Sequence, residues 1–296
     1  MCLLQSSIGT GYDLSASTYS PDGRIFQVEY AQKAVDNAGT VIGLKVKDGV
    51  VFAVEKLVQS KLLVPGANKR IQTVDLHAGV ATAGLIADGR HVANRARDEA
   101  ENYKETYHMP IPTKMLAERL GGYFQAYTLY SSVRPFGLSA LVGGWDAPLD
   151  PAKIAHGKPA MYCIEPSGVF WVCLAADLTV VGMLTRQRMI KGYRACAIGK
   201  GRQLAKTEIE KLKLEEMTAE EVLVDAARMF VLCSLGCCQL VMLTLLETMT
   251  AYIQFMTKQR TKSLSSNCRG YLRNLATGIN LFLLNWRKKQ NEKRKR

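Results

Sequence analysis

Strand-like and helix-like segments come in separate blocks along this sequence, and that grouping restricts its fold more than any other feature. Periodicity and turn residues predict a first helix, two strand pairs, two long helices, further strands and two last helices, at residues 26–34, 40–46, 50–55, 71–74, 78–83, 87–107, 113–130, 135–143, 161–165, 196–198, 202–214 and 218–231. Strict alternation of strand and helix would indicate a parallel sheet, whereas blocks indicate antiparallel sheets with helices packed outside. The sequence therefore predicts a layered α+β domain.

The net charge of +13 would indicate a polyanionic partner if it were spread over the whole chain. It is concentrated at one end, because residues 233–296 hold twelve Lys or Arg and two acidic residues, a net of +10. The preceding 232 residues carry only the remaining +3. We therefore expect no nucleic-acid partner for the main body of the chain.

The eight cysteines show no paired CxxC spacing, so no zinc or other metal site is predicted, and no motif indicates a cofactor. The opening residues Met1 to Leu4 lead into polar residues rather than into the apolar core of a secretory signal. We expect a reducing, intracellular compartment, where cysteines stay as free thiols.

Four blocks of this sequence resemble the proteasome alpha subunits in their order and spacing. The first contains Gly11-Tyr12-Asp13, then Ser20-Pro21-Asp22-Gly23-Arg24, then Phe26-Gln27-Val28-Glu29-Tyr30-Ala31, and the others lie within residues 48–56, 84–90 and 127–137. Many matched positions at fixed spacing make this a specific signal. The resemblance implies an α+β fold, the four-layer αββα sandwich of the N-terminal-nucleophile hydrolase class with an N-terminal helix.

The resemblance also implies a role and a set of partners. Proteasome alpha subunits are non-catalytic, so we expect a structural and gating subunit of the 20S core particle that supports ubiquitin-dependent protein degradation. Its partners would be the other alpha subunits of a heteroheptameric ring, the beta-ring subunits, and regulatory particles or activators. We expect it in the cytoplasm and the nucleus.

Thr40 is the candidate for an alternative, catalytic function. The beta subunits of this family use an N-terminal threonine whose own free amine acts as the base. Thr40 opens the first predicted strand as that threonine does, and Glu55 and Arg70 fall near the positions of its supporting acid and lysine. An internal threonine has no free amine, and cleavage there would discard the alpha signature. We therefore expect no catalytic residue.

Tyr12, Asp13, Pro21 and Tyr30 match the residues that stabilise the open gate over the ring's pore in this family. The residues before them match the gate itself. Two phenols and a carboxylate can hydrogen-bond to one another, and proline fixes the turn that holds them. We expect these four residues to belong to the gate.

Lys69, Arg70, Gly84 and Leu85 are the candidates for a pocket that binds an activator's C-terminal carboxylate in this family. The alignment puts Arg70, rather than Lys69, at the position of the lysine that receives the carboxylate. Arginine can bind a carboxylate with two parallel hydrogen bonds, but its planar fork differs from an ammonium in size and geometry. The pocket is therefore expected to depart from the family's form.

Two segments depart from the family pattern. Residues 172–191 have no counterpart in it and are expected to divide one strand, and the pattern ends near residue 233. We predict an alpha-type domain over residues 1–232, interrupted by the insert 172–191, and a non-family apolar and basic tail over residues 233–296. Poor assembly is expected from both, because an interrupted strand leaves backbone groups unpaired.

The tail leaves further interpretations open. Residues 229–246 carry no charge and are long enough for a membrane span, and the basic terminus resembles a nuclear-localisation signal or a membrane-surface patch. Gly236, Gln239 and three cysteines interrupt the apolar run, so a membrane partner is not expected. A membrane-anchored or nuclear basic protein stays the alternative, and a translated intron or altered splice end would also explain both departures.

Overall fold

The computed structural model describes residues 11–55, 62, 68–146, 157–173, 194–235 and 254–257. Its elements in chain order are α1 Phe26–Asp36, β1 Val41–Val46, β2 Gly49–Val54, β3 Ile71–Thr73, β4 Ala78–Gly84, α2 Ile86–Tyr107, α3 Thr113–Ala126, β5 Leu138–Asp146, β6 Lys158–Ile164, β7 Phe170–Cys173, β8 Ala195–Ile198, α4 Arg202–Ile209, α5 Ala219–Leu235 and β9 Gln254–Thr257. The predicted blocks of helices and strands occur in the predicted order.

The described strands form two sheets. One has the strand order β8-β1-β2-β9 and the other β3-β4-β5-β6-β7, the latter an antiparallel meander. β1 and β2 form the predicted hairpin, with Val46 opposite Gly49 and a tight turn between them. The sheets approach closely at Gly43, where an added Cβ would lie 2.6 Å from the sulfur of Met161.

Successive side chains point to opposite faces of each strand, and this sorts the core into three layers. Phe52 and Leu141 belong to the layer between the two sheets. Leu120 belongs to the layer between the five-stranded sheet and the helices α2 and α3. Val222 belongs to the layer between the four-stranded sheet and the helices α4 and α5. The resulting order of helices, sheet, sheet and helices is the predicted αββα sandwich.

Two helices end earlier than the sequence predicts, α3 at residue 126 rather than 130 and α4 at residue 209 rather than 214. After α3, the hydroxyl of Thr128 donates a hydrogen bond to the carbonyl of Gln125 at 2.6 Å. After α4, the amides of Lys211 and Leu212 donate to carbonyls three residues back. Such turns use up the last helical carbonyls without changing the apolar spacing, so periodicity overestimates the helix length.

The strands on either side of residues 172–191 belong to different sheets, which corrects the expectation that this segment divides one strand. β7 pairs with β6, with Val172 opposite Tyr162 and Cys173 opposite Met161, whereas β8 pairs with β1. The first two residues of the predicted insert are therefore part of a sheet, and residues 174–191 lie outside the described residues. A long connection between sheets does not shift either ladder, because each strand pairs with its own neighbour.

The boundary predicted at residue 233 falls within α5, which runs to Leu235, and β9 lies beside β2 at the edge of the four-stranded sheet. Internal contacts divide the chain into residues 1–256 and 257–296, and the second part lies almost entirely outside the described residues. Within the described ranges, no helix combines the length and the apolar character needed to cross a bilayer. The separate tail stays a prediction.

Candidate functional site

Thr40 lies just before β1, is 1% exposed, and has each of its polar groups bonded. Its amide donates to Oε2 of Glu55 at 3.0 Å, and its carbonyl accepts from the Glu55 amide at 2.8 Å. Its hydroxyl accepts a hydrogen bond from the amide of Gly201 at 3.0 Å. A peptide amide cannot act as a base, so this threonine lacks the partner that would activate it as a nucleophile.

The chain before Thr40 packs tightly against its neighbours. The amide of Lys200 donates to the carbonyl of Ala38 at 2.9 Å. An added Cβ at Gly39 would lie 2.8 Å from the carbonyl oxygen of Glu55. The peptide bond that processing at Thr40 would cut is thus held between β2 and the loop after β8.

The structure brings two of the four predicted gate residues into contact. The hydroxyl of Tyr30 on α1 donates to Oδ2 of Asp13 at 3.4 Å. Tyr12 precedes Asp13 in the chain and is 39% exposed, close to the 41% of Tyr30. Pro21 lies in the exposed turn that leads into α1, where its ring fixes one backbone torsion angle.

Residues that the sequence analysis left without a role hold this arrangement together. The side-chain amide of Gln27 donates to the carbonyl of Asp13. The guanidinium of Arg24 pairs with the carboxylate of Glu29, with Nε 2.7 Å from Oε1. Ser20 closes the turn, since its amide donates to the Arg24 carbonyl at 2.9 Å and its hydroxyl accepts from the Arg24 amide at 3.0 Å. All four residues lie in the first block that resembles the family. That position could have identified them from the sequence.

The predicted activator pocket brings Arg70, Gly84 and Leu85 together, while Lys69 is exposed to solvent. Nη1 of Arg70 donates to the carbonyl of Gly84 at 2.9 Å, and burial lowers the pKa of the guanidinium from its ordinary value. Among the described residues, no acidic side chain forms an ion pair with Arg70. Leu85 is 48% exposed beside it. A partly desolvated cation next to an exposed apolar side chain suits a carboxylate on an apolar chain.

An ion pair that the sequence analysis missed fixes the corner at Gly84 and Leu85. Asp88 accepts hydrogen bonds from both terminal nitrogens of Arg134 at 2.8 Å and from the amide of Gly137 at 3.1 Å. The Arg134 bonds, more than the Gly137 bond, hold the pKa of the Asp88 carboxyl below its ordinary value against the opposing effect of burial. The Leu85 amide donates to the Gly137 carbonyl at 3.0 Å. Asp88 and Arg134 carry opposite charges and lie in two of the blocks that resemble the family, which could have indicated this contact from the sequence.

Two family models match adjacent parts of this chain. The family model described as "Proteasome subunit" matches residues 35–187. A second model, which describes the N-terminal signature of the A-type subunits of the proteasome, matches residues 12–34. The first match extends over residues 172–187, so the separate origin of the segment 172–191 stays a prediction.

Curated relatives extend the likeness over three quarters of the chain. "Proteasome subunit alpha type-3" of Acanthamoeba castellanii is 54% identical over 222 residues, 75% of this chain and 77% of the relative. The Drosophila melanogaster protein of that name is 51% identical over 217 residues, 73% of this chain and 75% of the relative. "Probable proteasome subunit alpha type-7" of Saccharomyces cerevisiae is 51% identical over 230 residues, 77% of this chain and 70% of the relative. The chain belongs to the proteasome subunit family and carries the N-terminal signature of its alpha subunits.

Proposed function

We propose that this chain is a structural and gating subunit of the alpha ring of a 20S proteasome, with no catalytic residue of its own. One observation carries the proposal: the N-terminal signature of the alpha subunits occupies residues 12–34, so processing at Thr40 would remove it. Its partners are the other alpha subunits of a heteroheptameric ring and the beta-ring subunits beneath them. It works in the cytoplasm and the nucleus.

The gating part of the proposal rests on Asp13 and Tyr30. The hydrogen bond between them joins the start of the described chain to α1, and the Gln27 bond to the Asp13 carbonyl adds a second link. These two bonds hold Asp13 against α1. The residues before it would form part of the gate, as the resemblance to the family implies.

The activator-binding part rests on Arg70, Gly84 and Leu85. Regulatory particles or activators would place a C-terminal carboxylate on the guanidinium of Arg70 and an apolar side chain near Leu85. The Gly84 carbonyl already takes one N–H of Arg70, so the carboxylate would meet a cation held in place beforehand.

A test of the non-catalytic assignment uses Thr40. We expect the purified chain to have no peptidase activity, to keep the residues before Thr40 by intact mass, and to gain no adduct from a threonine-directed inhibitor. In an assembled particle, Thr40→Ala should leave peptide hydrolysis unchanged. It should lower the free energy of unfolding by about 0.5–1.5 kcal/mol, because the part-buried hydrogen bond from the Gly201 amide to the Thr40 hydroxyl is lost.

Thr40→Ser is the matched control, since it keeps the hydroxyl and should lose less stability than Thr40→Ala. An inhibitor adduct on Thr40, or a mass that lacks the first 39 residues, would overturn the assignment and make the chain a processed protease.

A further inference from the structure

Two cysteines on different sheets face each other in the layer between the sheets. Cys163 lies on β6 and shares this face with Met161, two residues before it. Cys196 lies on β8 and shares this face with Ile198, two residues after it. Neither cysteine forms a disulfide in this structure. The sequence shows no CxxC motif, and these two thiols meet only because the sheets stack.

The two thiols also line one cavity of about 270 Å³. Cys163 is 3% exposed, whereas Cys196 is partly exposed, so Cys196 is the more accessible residue of the two. Charged side chains line the same cavity, among them Asp36, Glu165 and Lys206. The two thiols and several charged side chains thus line one cavity beside the layer between the sheets.

The surroundings of Cys196 lower the pKa of its thiol. The hydrogen bond with the thiol of Cys163 lowers the pKa of Cys196 most, and the Lys206 ammonium lowers it further, while burial and the Glu165 carboxylate raise it. The thiolate is the nucleophilic form of cysteine, so these surroundings increase the reactivity of the more exposed partner.

We propose that Cys196 and Cys163 form a peroxide-sensitive thiol pair, with Cys196 as the attacking thiol and Cys163 as the resolving thiol. The Cys196 thiolate attacks one oxygen of hydrogen peroxide, the O–O bond breaks, and a proton converts the leaving hydroxide to water, which leaves a sulfenic acid on Cys196. The Cys163 sulfur then attacks the sulfur of that sulfenic acid. An S–S bond forms, the S–O bond breaks, and a second water leaves with the Cys163 proton.

The product would be a disulfide between the two sheets. Sandwich folds accept such a bond between facing sheets, as the immunoglobulin fold does. It would also close the loop that contains residues 172–191, because Cys163 on β6 precedes that segment and Cys196 on β8 follows it. Cross-linking limits the freedom of the unfolded chain, so the oxidised protein should melt at a higher temperature than the reduced protein.

The test treats the full-length chain, freed of reductant, with a small excess of hydrogen peroxide, then alkylates the remaining thiols and maps tryptic fragments. We expect a fragment pair linked through Cys196 that disappears on reduction and is lighter by two hydrogen atoms than its separate parts. Trypsin leaves Cys163 and Cys173 in one fragment. Cys173→Ala is therefore the matched control and should keep the link, whereas Cys163→Ala and Cys196→Ser should abolish it.

A second measurement keeps the proposal testable if a variant folds poorly. In Cys163→Ala, checked for a cooperative thermal transition, dimedone should label Cys196 after peroxide, because the resolving thiol is missing. A link that survives in Cys163→Ala and is lost in Cys173→Ala would overturn the proposal. Wild-type chain that gives neither a linked fragment nor labelled Cys196 would overturn it as well. None of these outcomes depends on assembly into a ring, so they are separable from a failure of the proposed function.

Discussion

Replacing Gly84 by alanine should lower the free energy of unfolding by about 2–6 kcal/mol, from backbone strain and steric overlap together. Gly84 has φ = +129°, which residues with a Cβ rarely adopt. An added Cβ would lie 2.2 Å from the carbonyl oxygen of Gly137 and 2.6 Å from the Cα of Leu138, both backbone atoms of the facing segment. Neither atom can move without disturbing the β4–β5 ladder, where Gly84 lies opposite Leu138.

Urea unfolding followed by circular dichroism measures this loss. Gly122→Ala is the matched control, because Gly122 lies inside α3 and an added Cβ would meet nothing within 4 Å. Alanine should stabilise that helix by up to ~1 kcal/mol. If Gly84→Ala did not lower the free energy of unfolding below that of the wild-type chain, the corner at Gly84 would not be packed as described.

Deleting residues 1–11 should raise the basal peptide hydrolysis of an assembled particle several-fold. The expectation follows from the proposed gating function, in which the segment before Asp13 covers the pore and is anchored to α1 through Tyr30 and Gln27. Removing a cover raises substrate entry without touching any catalytic group. Hydrolysis of a small fluorogenic peptide by the purified particle is the measurement.

A point variant separates the anchor from the cover. Tyr30→Phe removes the hydroxyl that donates to Asp13 while keeping the ring. Because these residues match those that stabilise the open gate, the variant should lower activator-stimulated hydrolysis and leave basal hydrolysis unchanged. Tyr107→Phe, at the end of α2, removes a different exposed hydroxyl and should change neither rate. An unchanged basal rate in a correctly assembled particle without residues 1–11 would contradict the gating function of this subunit.

Local sequence patterns were enough to predict most of the elements before residue 232 and a layered packing, while the four-layer order came from the family resemblance and β9 was not predicted. The hairpin at β1 and β2 follows from its turn residues and strand composition. At the start of α5, Thr218 and Glu221 have the spacing of a capping box, and the amide of Thr218 donates to Oε2 of Glu221 at 2.9 Å. Both signals act over a few residues, and such short-range rules can be read directly from a sequence.

Contacts between distant segments could not be predicted in the same way. Asp88 and Arg134 meet because α2 and the loop before β5 share one corner, and Cys163 meets Cys196 because the two sheets stack. No periodicity relates the members of either pair. The same limit explains the error about residues 172–191, since a run of strand-like residues does not reveal where a chain passes from one sheet to the other.

The two departures from the family pattern bear directly on assembly. The sequence alone predicts that the full chain assembles poorly, because an insert would shift a strand. The structure removes that reason, since β7 and β8 each pair in register within their own sheet and β9 lies at the edge of β2. We therefore expect the full chain to assemble, and a variant without residues 174–191 to assemble to the same extent.

Ring incorporation tests the proposed function most directly. The full chain is co-expressed with the other alpha subunits of its organism, and native gels and sedimentation follow it next to the variant without residues 174–191 and next to Gly84→Ala. The proposal predicts that the full chain and the deletion variant both migrate in a ring-sized complex, with Gly84→Ala strongly reduced. A full chain that stays at the size of a lone protomer, or follows the membrane fraction, while its partners form rings without it would contradict the proposal.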